Sequence, residues 1–154
     1  MHSEISVDIY GDIEDLWALA SQVERWPVIL PHYRYVDLLG IDGPRRTVEM
    51  AAWRGWIPLR WRSIVEALPA ERRIRFEHVG GGARGMAVEW RIVQHDGFVR
   101  ATIIHRLDNL HYRIVRTQLG RYVLAEQLIT PVAGRTLRRM KQLVEAGARA
   151  AAPA

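Results

Sequence analysis

The sequence predicts an α+β fold that runs as one strand, two short helices, six strands and one long helix. Three observations carry that reading. Apolar residues alternate with polar ones from Ile5 to Ile9. The same period of two returns at Tyr33 and continues to about Asp108, interrupted only by turn residues. From about Thr117 to Ala148 the apolar period lengthens to that of a helix. At 154 residues the chain is expected to form one domain over residues 1–154, with a core at about 3–147 and a frayed, Ala-rich end at 148–154.

The first strand alternates Ile5, Val7 and Ile9 with Glu4, Ser6 and Asp8 and stops at Gly11. Asp12 is a good N-cap for a helix whose Ile13, Leu16, Trp17 and Ala20 fall at helical spacing. Ser21-Gln22-Val23-Glu24 has the pattern of a capping box and is expected to start a second short helix, limited by Trp26-Pro27 and Leu30-Pro31. The six later strands are placed at roughly 33–41, 45–54, 57–68, 72–79, 83–95 and 98–108. Asp42-Gly43-Pro44, Gly55, Pro69-Ala70, Gly80-Gly81-Gly82 and Asp96-Gly97 separate them. Connections this short imply an antiparallel meander. In the long helix Leu124, Leu128, Val132, Leu137, Met140 and Val144 form the apolar stripe, and Pro131 is expected to kink it or mark a boundary.

A sheet covered by helices on one side alternates apolar-in and polar-out. Leu59, Trp61, Ser63 and Val65 then share the inner face with Ile74, Phe76, His78, Met86, Val88, Trp90, Ile103 and His105. Arg60, Arg62, Glu66, Arg73, Arg75, Glu77, Glu89, Arg91, Arg100 and Arg106 take the outer face. Most arginines are thereby expected to sit beside carboxylates of neighbouring strands. The formal charge of +5 is then weak evidence for a polyanionic partner, and neither nucleic acid nor a polybasic membrane contact is expected. Ser63, His78 and His105 are polar groups among bulky apolar ones. They fit core histidines satisfied by backbone or water, and they fit equally a partly polar cavity between sheet and helix. In the cavity reading Trp53, Trp61, Ser63, Phe76, Met86, Trp90 and Ile103, with Leu128 and Val132 of the helix, line the ligand.

Several chemistries are excluded. No cysteine means no thiolate catalysis, disulfide or Cys-ligated metal. Metal-ligand spacing such as His-Glu-x-x-His is absent, so neither a metal nor another cofactor is expected. The Gly80–Gly85 run precedes a strand, so it reads as a hairpin loop rather than a phosphate cradle. There is no Gly-x-Ser-x-Gly elbow, and Glu49 is the one carboxylate that is ambiguous between faces. The N-terminus lacks an apolar signal segment and no window is long and apolar enough to span a bilayer, which leads to the expectation of a cytoplasmic protein.

Val23-Glu24-Arg25-Trp26-Pro27, Leu30-Pro31-His32-Tyr33, Val48-Glu49-Met50 and the helix segment from Ala133 to Lys141 resemble the START/SRPBCC superfamily, most closely its polyketide cyclase/dehydrase group. The resemblance covers roughly residues 3–147. It implies a helix-grip fold, in which a seven-stranded antiparallel sheet wraps a long C-terminal helix around a cavity for a hydrophobic ligand. A polyketide, an isoprenoid quinone or a lipid-like molecule is the implied ligand class, held without catalysis. The alternative is an active polyketide aromatase/cyclase or dehydratase. There Tyr33, which matches a pocket tyrosine of that group, would work with His78 and His105 in proton transfer. The group's two pocket arginines fall here on Ala67 and near His78. An acyl carrier protein or polyketide synthase is the macromolecular partner implied, with a homodimer left open.

Overall fold

The computed structural model describes residues 2–110, 117, 119–120, 123, 127 and 129–151. Strand β1 (His2–Ile9) leads into helix α1 (Ile13–Ser21), a single 3-10 turn (Val23–Arg25) and the short helix α2 (Trp26–Ile29). Six strands follow: β2 (Tyr33–Asp42), β3 (Arg45–Arg54), β4 (Ile57–Leu68), β5 (Arg73–Gly81), β6 (Ala87–His95) and β7 (Phe98–Arg106). The long helix α3 covers Thr130–Ala151. All seven strands form one antiparallel sheet in the order β1-β7-β6-β5-β4-β3-β2. The meander is thus extended by β1, which returns to pair with β7 in the register Ile5↔Ile103.

The inner and outer faces sort as the alternation requires. Ile74, Phe76 and His78 are buried while Arg75 and Glu77 are exposed; Val88, Trp90 and Ile92 are buried on the same face, where α1 meets β6. Outside, cations meet carboxylates across strands, Arg100 with Asp8 at 2.8 Å, Arg45 with Glu77 at 3.4 Å and Arg60 with Glu49 at 3.5 Å, and along β6, Arg91 with Glu89. Exposed pairs of this kind contribute little each, but they keep the sheet surface mixed in sign.

Helix α3 lays Ala133, Thr136, Leu137, Met140 and Val144 into the concave face. Pro131 is the second residue of α3 and comes two residues after Ile129, which has π-helical geometry, so it stands where one kind of helix passes into another. Leu124 and Leu128 lie outside the described residues. Asp12 caps α1 as expected, its carboxylate accepting from the Glu14 N–H at 2.8 Å.

Four boundaries differ from the sequence reading. Ser21 ends α1 instead of capping a new helix, and Gln22 makes no side-chain cap. Glu24 is recruited elsewhere: both its oxygens accept from Arg46 of β3, at 2.6 and 2.7 Å. Trp26-Pro27 opens α2 rather than closing a helix, because proline suits a first turn. Helix α3 continues through Ala148 to Ala151. Finally, β5 runs on through Gly80 and Gly81 and β6 starts only at Ala87, so the turn is shifted.

Glycine makes that shift feasible. Gly81 has φ +78°, and a Cβ there would stand 2.5 Å from the Arg60 carbonyl oxygen and 2.8 Å from the Trp61 Cα. The strand bulges between Arg62 and Ser63 at this close approach. A Gly81→Ala substitution is expected to lower stability by more than about 1 kcal/mol in urea unfolding, through left-handed strain and a backbone clash. Gly82→Ala, which meets open space, is expected to stay within about 0.5 kcal/mol.

Candidate functional site

Sheet and helix do not close completely on each other. Between the inner face of β3–β7, the aromatic rings of α2 and β2, and the first two turns of α3 lies a cavity of about 350 Å³. Trp26 forms its inner wall. Its ring meets Tyr33, Phe76 and Trp90 with centroids 5.3, 5.9 and 5.6 Å away, and its Nε1 donates to the Leu19 carbonyl at 3.1 Å. Trp61 sits opposite, 6.1 Å from Tyr33 and 6.0 Å from His78. Val132, Ala133 and Thr136 supply the helical side.

Besides Thr136 of the helix, three polar side chains of the sheet reach this apolar space: Tyr33, His78 and His105. Their positions follow from the pleat. Val65↔Phe76 and Ser63↔His78 are cross-strand partners of β4 and β5, while Val88↔His105 and Trp90↔Ile103 are partners of β6 and β7. Ser63 is fully enclosed behind His78, and its hydroxyl shares a hydrogen bond with His78 Nδ1. That leaves Nε2 as the ring nitrogen turned to the cavity.

Burial dominates the electrostatics. It holds His78 down to about 3, reinforced by the neighbouring His105, and holds His105 down to about 4. Both rings are therefore neutral near pH 7. Burial also pushes the Tyr33 phenol well above its usual range, opposed in part by a hydrogen bond with Thr136. Among the described residues no carboxylate lines the cavity, and the one charged side chain at its edge, Arg60, points to solvent and pairs with Glu49. Three buried side-chain nitrogens have no hydrogen-bond partner among the described residues: Arg54 Nε, which is away from the cavity, and Trp61 Nε1 and His105 Nδ1, both on cavity-lining side chains.

The cavity brings together Tyr33, His78, His105, Trp61, Phe76, Met86, Trp90, Ile103 and Val132. Ser63 touches it only through His78. Trp53 does not line it. This residue lies beside Gly55 at the β3–β4 turn, 39% exposed, with the Arg34 guanidinium over its ring. Leu128 falls outside the described residues. Trp26 and Thr136 were missed from the sequence. Trp26 looked like a helix boundary because Pro27 follows it. Thr136 did carry a signal: it stands four residues from both Val132 and Met140, on the buried stripe, where a hydroxyl is out of place.

No helix among the described residues is long and apolar enough to cross a membrane, and no cluster of metal-ligating side chains occurs among them. A seven-stranded antiparallel sheet gripping a C-terminal helix, with an aromatic cavity between them, is the helix-grip fold. The chain belongs to the family described as polyketide cyclase / dehydrase and lipid transport, whose model matches residues 11–145. Among solved structures it resembles the Zhui aromatase/cyclase from Streptomyces sp. R1128, with 18% identity, a TM-score of 0.83, and 100% of this chain and 99% of that one covered. A START superfamily protein from Mycobacterium smegmatis is 16% identical, with a TM-score of 0.71 over 92% and 98% of the two chains. Norcoclaurine synthase from Thalictrum flavum is 11% identical, with a TM-score of 0.69 over 94% and 92%. Identities this low speak for the fold alone. No curated protein matches the chain in sequence.

The buried imidazoles make stability depend on pH. His32, also buried, is held down to about 4 by burial and by the charge of Arg135. Below the ordinary histidine value of about 6.5, the unfolded chain takes up protons at His32, His78 and His105 that the folded chain refuses. Stability therefore falls as pH drops through that window, by at most about 1.4 kcal/mol per pH unit for each histidine. Urea midpoints measured from about pH 7 to about pH 5 are expected to decline. His105→Leu is expected to decline less steeply, by about one proton's worth of slope.

Proposed function

We propose that the cavity binds a hydrophobic small molecule of the polyketide, quinone or lipid class that carries at least one carbonyl oxygen. The observation that carries this reading is a pair of buried nitrogens, Trp61 Nε1 and His105 Nδ1, without a partner among the described residues and set on mostly apolar walls. An unsatisfied buried polar group costs roughly 1–3 kcal/mol. The indole N–H can only donate, so its natural partner is an acceptor brought by the ligand. Mostly apolar walls with a few fixed polar points are the pattern of a small-molecule site. The absence of a carboxylate or an enclosed cation among the lining residues described favours an uncharged ligand body.

The second reading, aromatase/cyclase or dehydratase activity, is supported by the shared placement of Tyr33, His78 and His105 in one cavity. Its chemistry is constrained by the same burial. An imidazole whose conjugate acid has a pKa of about 3 is a weak base, so His78 is poorly matched to abstracting a proton near pH 7. Neutral N–H and O–H groups can instead hold a flexible poly-β-ketone bent and polarise its carbonyls, which favours ring closure through proximity and hydrogen bonding. This reading takes its substrate from an acyl carrier protein or polyketide synthase, in the cytoplasm. All the groups it uses come from one chain, so it does not require a homodimer.

Both readings are tested with one set of proteins. Menadione, a quinone, is expected to bind about tenfold more tightly than methylnaphthalene, its hydrocarbon counterpart. Trp61→Phe is expected to erase that preference while keeping hydrocarbon binding. Equal affinities for the two compounds in the wild type would sink the carbonyl reading. Incubation with a linear poly-β-ketone separates binding from catalysis. Ring-closed products that fall in Tyr33→Phe and His78→Ala support the enzyme, and identical product profiles in all three proteins leave the binding protein alone.

A further inference from the structure

The β3–β4 turn and the start of α3 frame a second concavity, outside the cavity wall. It is an open cleft of about 630 Å³ lined by Pro31, His32, Trp53, Gly55, Trp56, Arg135 and Arg139. A hydrogen bond links residues of the two spaces. His32, on the cleft side, bonds through Nε2 to the Thr136 hydroxyl at 2.9 Å, and Thr136 lines the cavity.

The charged side chains of this cleft are of one sign. Arg135 and Arg139 stand one helical turn apart on the same side of α3. Arg34 adds a third guanidinium, 4.9 Å from the centre of the Trp53 ring. None of the three forms an ion pair among the described residues, and no carboxylate lines the cleft. Arg45, Arg46, Arg60, Arg91 and Arg100 of the sheet all have such partners. The field is felt inside: after burial, the charge of Arg135 is the next cause that keeps His32 neutral. Arg139 is oriented by its Nε, which donates to the Ile29 carbonyl at 3.2 Å. Beside these cations Trp56 is 85% exposed, an indole with little of its surface covered by the chain.

The geometry points to a second ligand site here, for a small flat aromatic anion such as an aromatic carboxylate. Its ring would lie against Trp53 and Trp56 and its charged group on Arg135 and Arg139. A guanidinium fork matches a carboxylate, and an indole face offers offset stacking. Each half of the ligand answers a different half of the cleft. Its residues do not line the cavity, so the site stands or falls separately from the carbonyl-bearing ligand proposed above.

The test uses naphthoate as the anion and naphthylmethanol as its uncharged counterpart, with the tryptophan indole N–H signals followed by NMR and assigned by single Trp→Phe substitutions. Naphthoate is expected to shift the Trp53 and Trp56 signals, to bind more weakly as salt is raised, and to outbind naphthylmethanol there by about tenfold. Arg135→Gln is expected to weaken naphthoate by about tenfold while leaving menadione binding unchanged. Arg135 is exposed and holds no other element in place, which makes it the safer probe; Arg139 also fastens α2 through Ile29. Naphthoate shifts confined to Trp26, Trp61 and Trp90 would overturn the proposal. So would unchanged affinity in Arg135→Gln, or equal affinity for the uncharged compound.

Discussion

Trp26 joins the helical segment to the sheet and walls the cavity at the same time. Its ring is the meeting point of Tyr33, Phe76 and Trp90, which come from β2, β5 and β6, while its N–H is tied back to Leu19 of α1. Filling this corner with one rigid, nearly buried indole fixes how far α1 and α2 stand from the sheet. Deeper along α3, the helix closes tightly: Met140 and Val144 are buried, and a Cβ on Gly11 would come within 2.5 Å of Val144 Cγ1. At its first two turns the smaller Ala133 and Thr136 face Trp61 and the histidines, and the space between them is the cavity. A tight end and an open end on the same helix are therefore consequences of side-chain size along one stripe.

The distribution of charge follows from the same geometry. The pleat sends arginines and glutamates outward, where they neutralise one another across strands, and leaves the inner face without an ionised group among the described residues. In that setting a histidine cannot keep a proton and a tyrosine cannot lose one. The interior consequently offers hydrogen bonds rather than charges. Arg34, Arg135 and Arg139, near the β3–β4 turn, form no such pair among the described residues, and two of them share one cleft.

Much of the fold was legible because its signals are periodic. Seven alternating segments and one helical stripe translate directly into the sheet and α3, and the resemblance carried by Val-Glu-Arg-Trp-Pro supplied the grip. What was not legible depends on partners distant in sequence. Glu24 reads as a capping residue until Arg46 claims it, 22 positions away. Gly80 and Gly81 read as turn until the Arg60 carbonyl approaches too closely for any Cβ. For the site, the alternation placed Tyr33, His78 and His105 inward but left core and cavity equally open, since a pleat records direction and not depth. Trp53 was assigned by residue type to a ligand wall, although it sits at the end of β3 where the strand leaves the cavity. Trp26 and Thr136, which complete the wall, depend on how α2 and α3 dock.

The central claim is that a neutral, aromatic interior keeps two buried nitrogens for the oxygen of a hydrophobic ligand. A crystal structure of the protein saturated with menadione tests it most directly. The account predicts the quinone inside the cavity, with a carbonyl oxygen within hydrogen-bond distance of Trp61 Nε1 or the His105 ring. A cavity in which ordered waters satisfy both nitrogens while the quinone lies elsewhere would contradict it.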